Sequence, residues 1–171
     1  MSWLDATEAR ALVRLQGVGA RGPLTTAAHA LSSAGEHGWL WITVAGAGMV
    51  LDRPRRSRWA EVGASVIVAH GAAVVLKRVV RRTRPSAPGV QVLDATPSRL
   101  SFPSAHAAST TAVAVAAAPL VGGLLTAPVP VAMAAARLLL GVHYPTDVLA
   151  GAALGVAGAR AVRRICEGRA A

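Results

Sequence analysis

At 171 residues the chain has room for one domain. Hydrophobic residues make up 53% of it, the mean hydropathy is +0.47, and with a single Phe the apolar mass is Ala, Val, Leu and Gly, which argues against an ordinary soluble domain. The net charge of +10 rests on 17 Arg and one Lys. These sit at the ends of apolar runs without interleaved aromatics, which speaks against nucleic acid and for lipid headgroups or phosphate substrates.

The first 34 residues are mixed. Leu4, Ala11, Leu12, Leu15 and Val18 form a partial helical stripe interrupted by Arg10, Arg14 and Arg21, and Gly22-Pro23 opens a second short helix. No run here approaches the ~20 apolar residues of a span, and the compact apolar core of a signal peptide is missing. Residues 1–34 therefore read as an amphipathic region lying at a membrane surface.

About five spans follow, making an all-α integral membrane helix bundle with a single catalytic domain over residues 35–165 and a basic tail over 166–171. The first span covers Trp39 to Leu51, with Trp39 and Trp41 as interface anchors. A charged turn over residues 52–58 leads to the second, from Trp59 to about Leu76, which carries His70. The third runs from Ser104 to about Leu120. After the Gly122-Gly123 and Pro128-Val129-Pro130 punctuation, the fourth runs from Val131 to Val142 and the fifth from Pro145 to about Val162. Alternation then brings the end of span two, the start of span three, the end of span four and the start of span five to one aqueous face. Cys166 is alone, so neither an intrachain disulfide nor a cysteine metal site is available.

Three polar clusters share that face. In Lys77-Arg-Val-Val-Arg-Arg-Thr-Arg84-Pro85, a continuing helix would put Lys77, Arg81 and Arg84 on one side, with Pro85 as its stop; a plain juxtamembrane anchor is the other reading, and Arg78 and Arg82 fit it. In Ser101-Phe-Pro103-Ser104-Ala105-His106, Ser104 is a good N-cap whose helix start offers free amides to a phosphate oxygen, with His106 in the first turn; an ordinary capped helix reads the same. In Arg137-Leu-Leu-Leu-Gly-Val-His143-Tyr-Pro-Thr-Asp147, an arginine in an apolar run calls for an anion. Pro145 suits a helix start, which puts Asp147 in the first turn, within reach of His143 to fix its tautomer.

Taken together, Lys77-x6-Arg84-Pro85, Pro103-Ser104-Ala105-His106 and Ala136-Arg137-x5-His143-x3-Asp147 resemble the three-part signature of the type 2 phosphatidic acid phosphatase (PAP2) family. Order and spacing match over roughly residues 59–158. The resemblance implies that His143 attacks phosphorus and becomes a phosphohistidine, that Asp147 orients it, and that His106 protonates the leaving group and then helps activate water. It further implies that Lys77, Arg84, Ser104, Arg137 and the amides near Ala105 bind the phosphate, with no metal and no cofactor. Ala105 stands where the family has glycine and Ala136 where it has serine; a positive φ at residue 105 would strain alanine.

Soluble haloperoxidases share the pocket, but the expected spans favour a lipid phosphatase. The Gly35-Glu36-His37-Gly38-Trp39 stretch and the approach Ser98 to Ser104 resemble short actinobacterial members of the family that dephosphorylate decaprenylphosphoryl-5-phosphoribose in cell-wall precursor synthesis. Polyprenyl diphosphate, phosphatidic acid and phosphatidylglycerol phosphate are the alternative substrates, and a phospholipid-binding membrane scaffold is the non-enzyme alternative. The expected partners are the bilayer and a membrane lipid phosphate. The expected location is a bacterial plasma membrane with the active face extracytoplasmic, because the 52–58 turn and the 160–169 tail each carry four Arg on the other side.

Overall fold

Small side chains decide how this chain packs. In the computed structural model, which describes residues 3–19 and 22–168, they form eight α-helices: α1 Trp3–Gly19, α2 Pro23–Ala34, α3 Trp39–Leu51, α4 Arg56–Val80, α5 Ala105–Val121, α6 Gly123–Thr126, α7 Pro128–Leu139 and α8 Pro145–Gly168. Arg21 and Arg169, both counted among the basic residues above, lie outside the described residues.

Helix α5 is the central element. Its run of Ala, Ser and Thr is buried on nearly every side from Ala105 to Ala114. It lies between α4 and α8, and Ala69 and Ala73 of α4 meet Ala105, Ala108 and Ala112 of α5 in one cluster. On the other side α8 approaches so closely that a Cβ on Gly151 would lie 2.3 Å from the Ser104 carbonyl oxygen. That approach holds the start of α5 against the start of α8, where the Ser104 amide donates to the Asp147 carbonyl at 2.9 Å. Gly151→Ala is therefore expected to cost about 1–3 kcal/mol through forced separation of the two helices. It should be read as a fall in the thermal midpoint of the detergent-solubilised protein, with activity falling alongside.

The outward surface is apolar. Ile67, Val68, Val75 and Val79 on α4, with Val131 on α7 and Leu149 on α8, are all exposed. Of the five expected spans, the stretch Arg53–Val80 is long and apolar enough to cross a membrane on its own. Ala105–Val121 and Gly123–Leu139 are apolar but shorter, at 17 residues or fewer. At 1.5 Å per residue these reach about 25 Å, slightly less than a ~30 Å hydrocarbon core. Helix α3 has 13 residues, and α8 has length but carries Arg160, Arg163 and Arg164 in its second half.

The two N-terminal helices pack on α7. Helix α1 buries Leu12 of the expected stripe but leaves Ala11 and Leu15 exposed, and the side chains of Leu4 and Val18 lie outside the described residues; its buried face holds Ala9, Glu8 and Gln16. The Gln16 side chain donates to the carbonyls of Gln91 (2.6 Å) and Leu139 (2.9 Å) and accepts from the Gln91 amide (2.9 Å). Buried polar side chains are costly unless paired; here Gln16 pairs with the backbone of α7 and of the long connection between α4 and α5, and Glu8 pairs with Arg82 and Thr146. That connection closes on itself through an isolated bridge between Thr83 and Leu100.

Candidate active site

Lys77 sits in the last turn of α4, and there the sequence expectation needs correcting. The helix ends at Val80, not at Pro85, because Arg81 adopts a left-handed conformation with φ 55°. Arg81 is consequently exposed and does not share a face with Lys77. The chain then runs extended, which brings both Arg82 and Arg84 inward. The Arg84 guanidinium donates through Nε to the Ser98 carbonyl (2.7 Å) and through one terminal nitrogen to the Val142 carbonyl (2.6 Å). That nitrogen also lies 3.3 Å from His143 Nε2. Burial, and then the charge of Arg137, pulls Arg84 down to about 10; it stays cationic at neutral pH.

Ser104 caps α5 as expected, its hydroxyl accepting from the Ala107 amide at 3.4 Å. Ala105 is the first residue of the helix and is not among the positive-φ positions. The alanine in place of glycine therefore carries no backbone strain. Ala136 lies in an apolar cluster with Ala28, Leu140 and Val142, where a methyl packs and a hydroxyl would need a partner. His106 Nε2 lies 3.1 Å from the Ser32 carbonyl. A carbonyl only accepts, so Nε2 carries a proton and Nδ1 is the nitrogen left for proton transfer.

His143 and Asp147 are 1% and 0% exposed. Their closest approach, His143 Nδ1 to an Asp147 carboxylate oxygen, is 3.6 Å, longer than a hydrogen bond. Asp147 is committed elsewhere: it accepts from the Tyr144 amide (2.8 Å) and from Arg82 (2.8 Å). Catalytic hydrogen bonds are commonly loose before substrate arrives. Burial, followed by the charges of Arg84, Arg137 and Lys77, pushes His143 well below the ordinary imidazole value of 6.5, so the ring is neutral and Nε2 carries a lone pair towards the pocket. A histidine with a depressed native value binds its proton more readily when unfolded. Its stabilising contribution is complete above pH ~6.5 and is lost as pH falls below that value. Melts of the protein across that window should show acid destabilisation of up to about 1.4 kcal/mol per pH unit, and His143→Gln should flatten the slope.

Arg137, 2% exposed, meets an anion from its own chain, Asp94, at 3.3 Å. Ser32 bridges the pair: its hydroxyl donates to Asp94 at 2.7 Å and accepts a short hydrogen bond from Arg137. Among the described residues, Nε of Arg137 has no hydrogen-bond partner. Lys77, Arg84, Ala105, His106, Arg137 and His143 all line one cavity of about 240 Å³. Ser104 and Asp147 lie behind this lining and support it.

Two features escaped the sequence. Asp94 lies in an irregular loop with no motif around it. Arg82, which looked like a membrane anchor, makes the densest set of polar contacts in the site. It bonds Asp5 (2.7 Å), Glu8 (2.6 Å), Thr146 (2.7 Å) and Asp147 (2.8 Å) and stacks 4.1 Å from the Tyr144 ring centroid.

A pocket with three cations, a neutral buried histidine beside a carboxylate, and a second histidine at a capped helix start has the groups that holding and transferring a phosphoryl group calls for. The PAP2 superfamily profile matches residues 58–170. The chain belongs to the PAP2 superfamily, as a phosphatase. It is 51% identical over 152 residues to decaprenylphosphoryl-5-phosphoribose phosphatase of Mycolicibacterium smegmatis, covering 88% of this chain and 84% of that one. It is 49% identical over 154 residues to the protein of the same name from Mycobacterium tuberculosis H37Rv, covering 86% and 83%. Among solved structures, the transmembrane PAP2-type phosphatidylglycerolphosphate phosphatase of Bacillus subtilis aligns with a TM-score of 0.73 at 24% identity, over 96% of this chain and 85% of that one. Aquifex aeolicus LpxE aligns with a TM-score of 0.74 at 20% identity, over 90% and 93%. The last two share the fold.

Proposed function

We propose that the protein is an integral membrane phosphatase that removes the terminal phosphate of a polyprenylphosphoryl-5-phosphoribose lipid. The observation that carries the reading is the cavity in which Arg84 meets Nε2 of a neutral, buried His143. Nε2 attacks phosphorus and the bond from phosphorus to the lipid-side oxygen breaks. That oxygen takes the Nδ1 proton of His106, which enters the step as the imidazolium, its second proton held by the charge of the bound phosphate dianion; Nε2–H of His106 stays on the Ser32 carbonyl throughout. Water then attacks the phosphohistidine, His106 takes the water proton, and the P–N bond breaks to free inorganic phosphate. Lys77, Arg84, Arg137 and the first amides of α5 hold the phosphoryl oxygens, and Asp147 orients His143 and stabilises its charged form.

A lipid substrate is supported by a second cavity. An apolar groove of about 390 Å³ runs between α1, α2 and α7, lined by Leu15, Leu24, Leu31 and Leu139. Ala136 faces this groove and Arg137 faces the phosphate cavity, so adjacent residues of α7 address the chain and the phosphate. The choice of phosphoribosyl lipid rests on the two mycobacterial relatives at about half identity. The exposed apolar surface of α4, α7 and α8 supports residence in the bilayer, with the shorter helices spanning through local thinning.

Purified protein should release phosphate from decaprenylphosphoryl-5-phosphoribose faster than from a polyprenyl diphosphate or phosphatidic acid. Good turnover of the diphosphate with none of the phosphoribosyl lipid overturns the substrate assignment. The active face is proposed to be extracytoplasmic, which puts Cys166, exposed and free near the end of α8, on the cytoplasmic side. A membrane-impermeant maleimide should leave Cys166 unlabelled in intact cells and label it after lysis; labelling in intact cells reverses the orientation.

A further inference from the structure

The cavity holds more than the phosphate machinery. At about 240 Å³ it approaches the ~300 Å³ lower end of small-molecule pockets, and its lining includes Glu36, His37 and His70, to which the mechanism assigns nothing. His70 lies on the same face of α4 as Val74 and Lys77, two turns or about 10 Å from the lysine. Its Nδ1 is buried and, among the described residues, has no hydrogen-bond partner. A buried imidazole nitrogen with nothing to bond is expensive unless a ligand supplies the partner.

Facing His70 is the short turn Glu36–Gly38 between α2 and α3. His37 stands at φ 52° and Gly38 at φ 75°. A non-glycine residue in that region costs about 1 kcal/mol or more, and such costs collect at ligand sites. The turn brings the His37 ring to 6.3 Å from the His70 ring and the Glu36 carboxylate to 3.9 Å from His37 Nδ1.

The chemistry of these three groups differs from that of the phosphate end. A carboxylate next to an anion site repels a second anion and accepts hydrogen bonds from hydroxyls. A neutral imidazole offers one donor and one acceptor, which suits an alcohol. Val74 and Leu100, also in the lining, give the apolar surface against which the C–H face of a sugar packs.

We propose that Glu36, His37 and His70 form a hydroxyl-binding subsite for the sugar headgroup that carries the scissile phosphate. The proposal rests on the phosphatase reading of the same cavity and deepens it: these residues set specificity for a polyol phosphate over a plain alkyl phosphate.

Titration calorimetry of the full-length protein in detergent tests it without turnover, on the His143→Ala background, with ribose 5-phosphate, n-pentyl phosphate and inorganic phosphate as probes. The expected result is about tenfold or greater preference for ribose 5-phosphate over n-pentyl phosphate. Glu36→Gln and His70→Asn should each remove most of that preference while inorganic phosphate binds within about twofold of its original affinity, a change too small to include loss of a hydrogen bond. Equal affinity for the two organic phosphates before substitution overturns the subsite. So does a parallel loss for all three probes in both variants, which marks a structural role. Failure of the phosphatase reading would appear separately, as absence of phosphate release from every lipid by the His143 protein while the ribose 5-phosphate preference persists.

Discussion

Replacing His143 with alanine is expected to lower phosphate release by roughly 10⁴-fold or more, the scale on which loss of a covalent nucleophile is felt. Substrate affinity should change far less. The reason is the division of labour in the cavity: Lys77, Arg84 and Arg137 supply the charge that holds a phosphate, whereas only Nε2 of His143 pairs burial with a free lone pair beside Arg84. The substitution leaves the Val142 carbonyl to hold Arg84 in place, so the binding end keeps its geometry. The measurement is single-turnover phosphate release, with trapping of ³²P on the protein as a second readout. The protein with His143 should retain acid-labile label and the variant none. Undiminished turnover in the variant would remove His143 from the reaction and move the search to His106.

Much of this site was legible because successive helices that pack antiparallel alternate in direction. Once the apolar runs were placed, Lys77, Ser104, Arg137 and Asp147 fell at one end of the bundle, and the cavity gathers the ends of α4 and α7 and the start of α5 there, with Asp147 of α8 behind its lining. Helix starts were equally legible: Ser104 caps α5 and Pro145 opens α8, each through local chemistry that needs no tertiary information.

The sequence misled at the end of α4. Helical spacing extended past Val80 groups Lys77 with Arg81 and leaves Arg82 on the outer side. A single left-handed residue at Arg81 reverses that assignment. No propensity demands it, since arginine gains nothing at positive φ; the partners of Arg82 do, and they lie 74 and 77 residues away in α1 as well as in α8. Asp94 was hidden for the same reason. Its partners Arg137 and Ser32 come from α7 and α2, and an irregular loop has no period from which to read them. Contacts set by tertiary pairing alone leave no periodic trace.

Arg82→Ala is accordingly expected to be the most damaging substitution outside the reacting groups. The guanidinium neutralises Asp5, Glu8 and Asp147 together, at 2.6 to 2.8 Å, and Glu8 is buried with Asp147. Removing one partner of a buried charge cluster typically costs about 3–5 kcal/mol, because the remaining charges lose their compensation. Here the loss also reaches the chemistry. Asp147 keeps its Tyr144 amide but is free to rotate away from His143 Nδ1, and the Glu8 contacts that tie α1 to Thr146 lose their cation.

Two readouts separate the effects. Thermal midpoint should fall in Arg82→Ala and recover in part when Asp5→Asn and Glu8→Gln are added, since those changes remove the repulsion within α1. Activity should not recover with them, because Asp147 still lacks its positioning partner. Arg82→Lys should retain most of the stability but little of the rate, as one ammonium cannot reach both the α1 carboxylates and Asp147 with the geometry of a planar fork. Full activity in Arg82→Lys would show that charge alone is needed at this position and that the fork is not what orients Asp147.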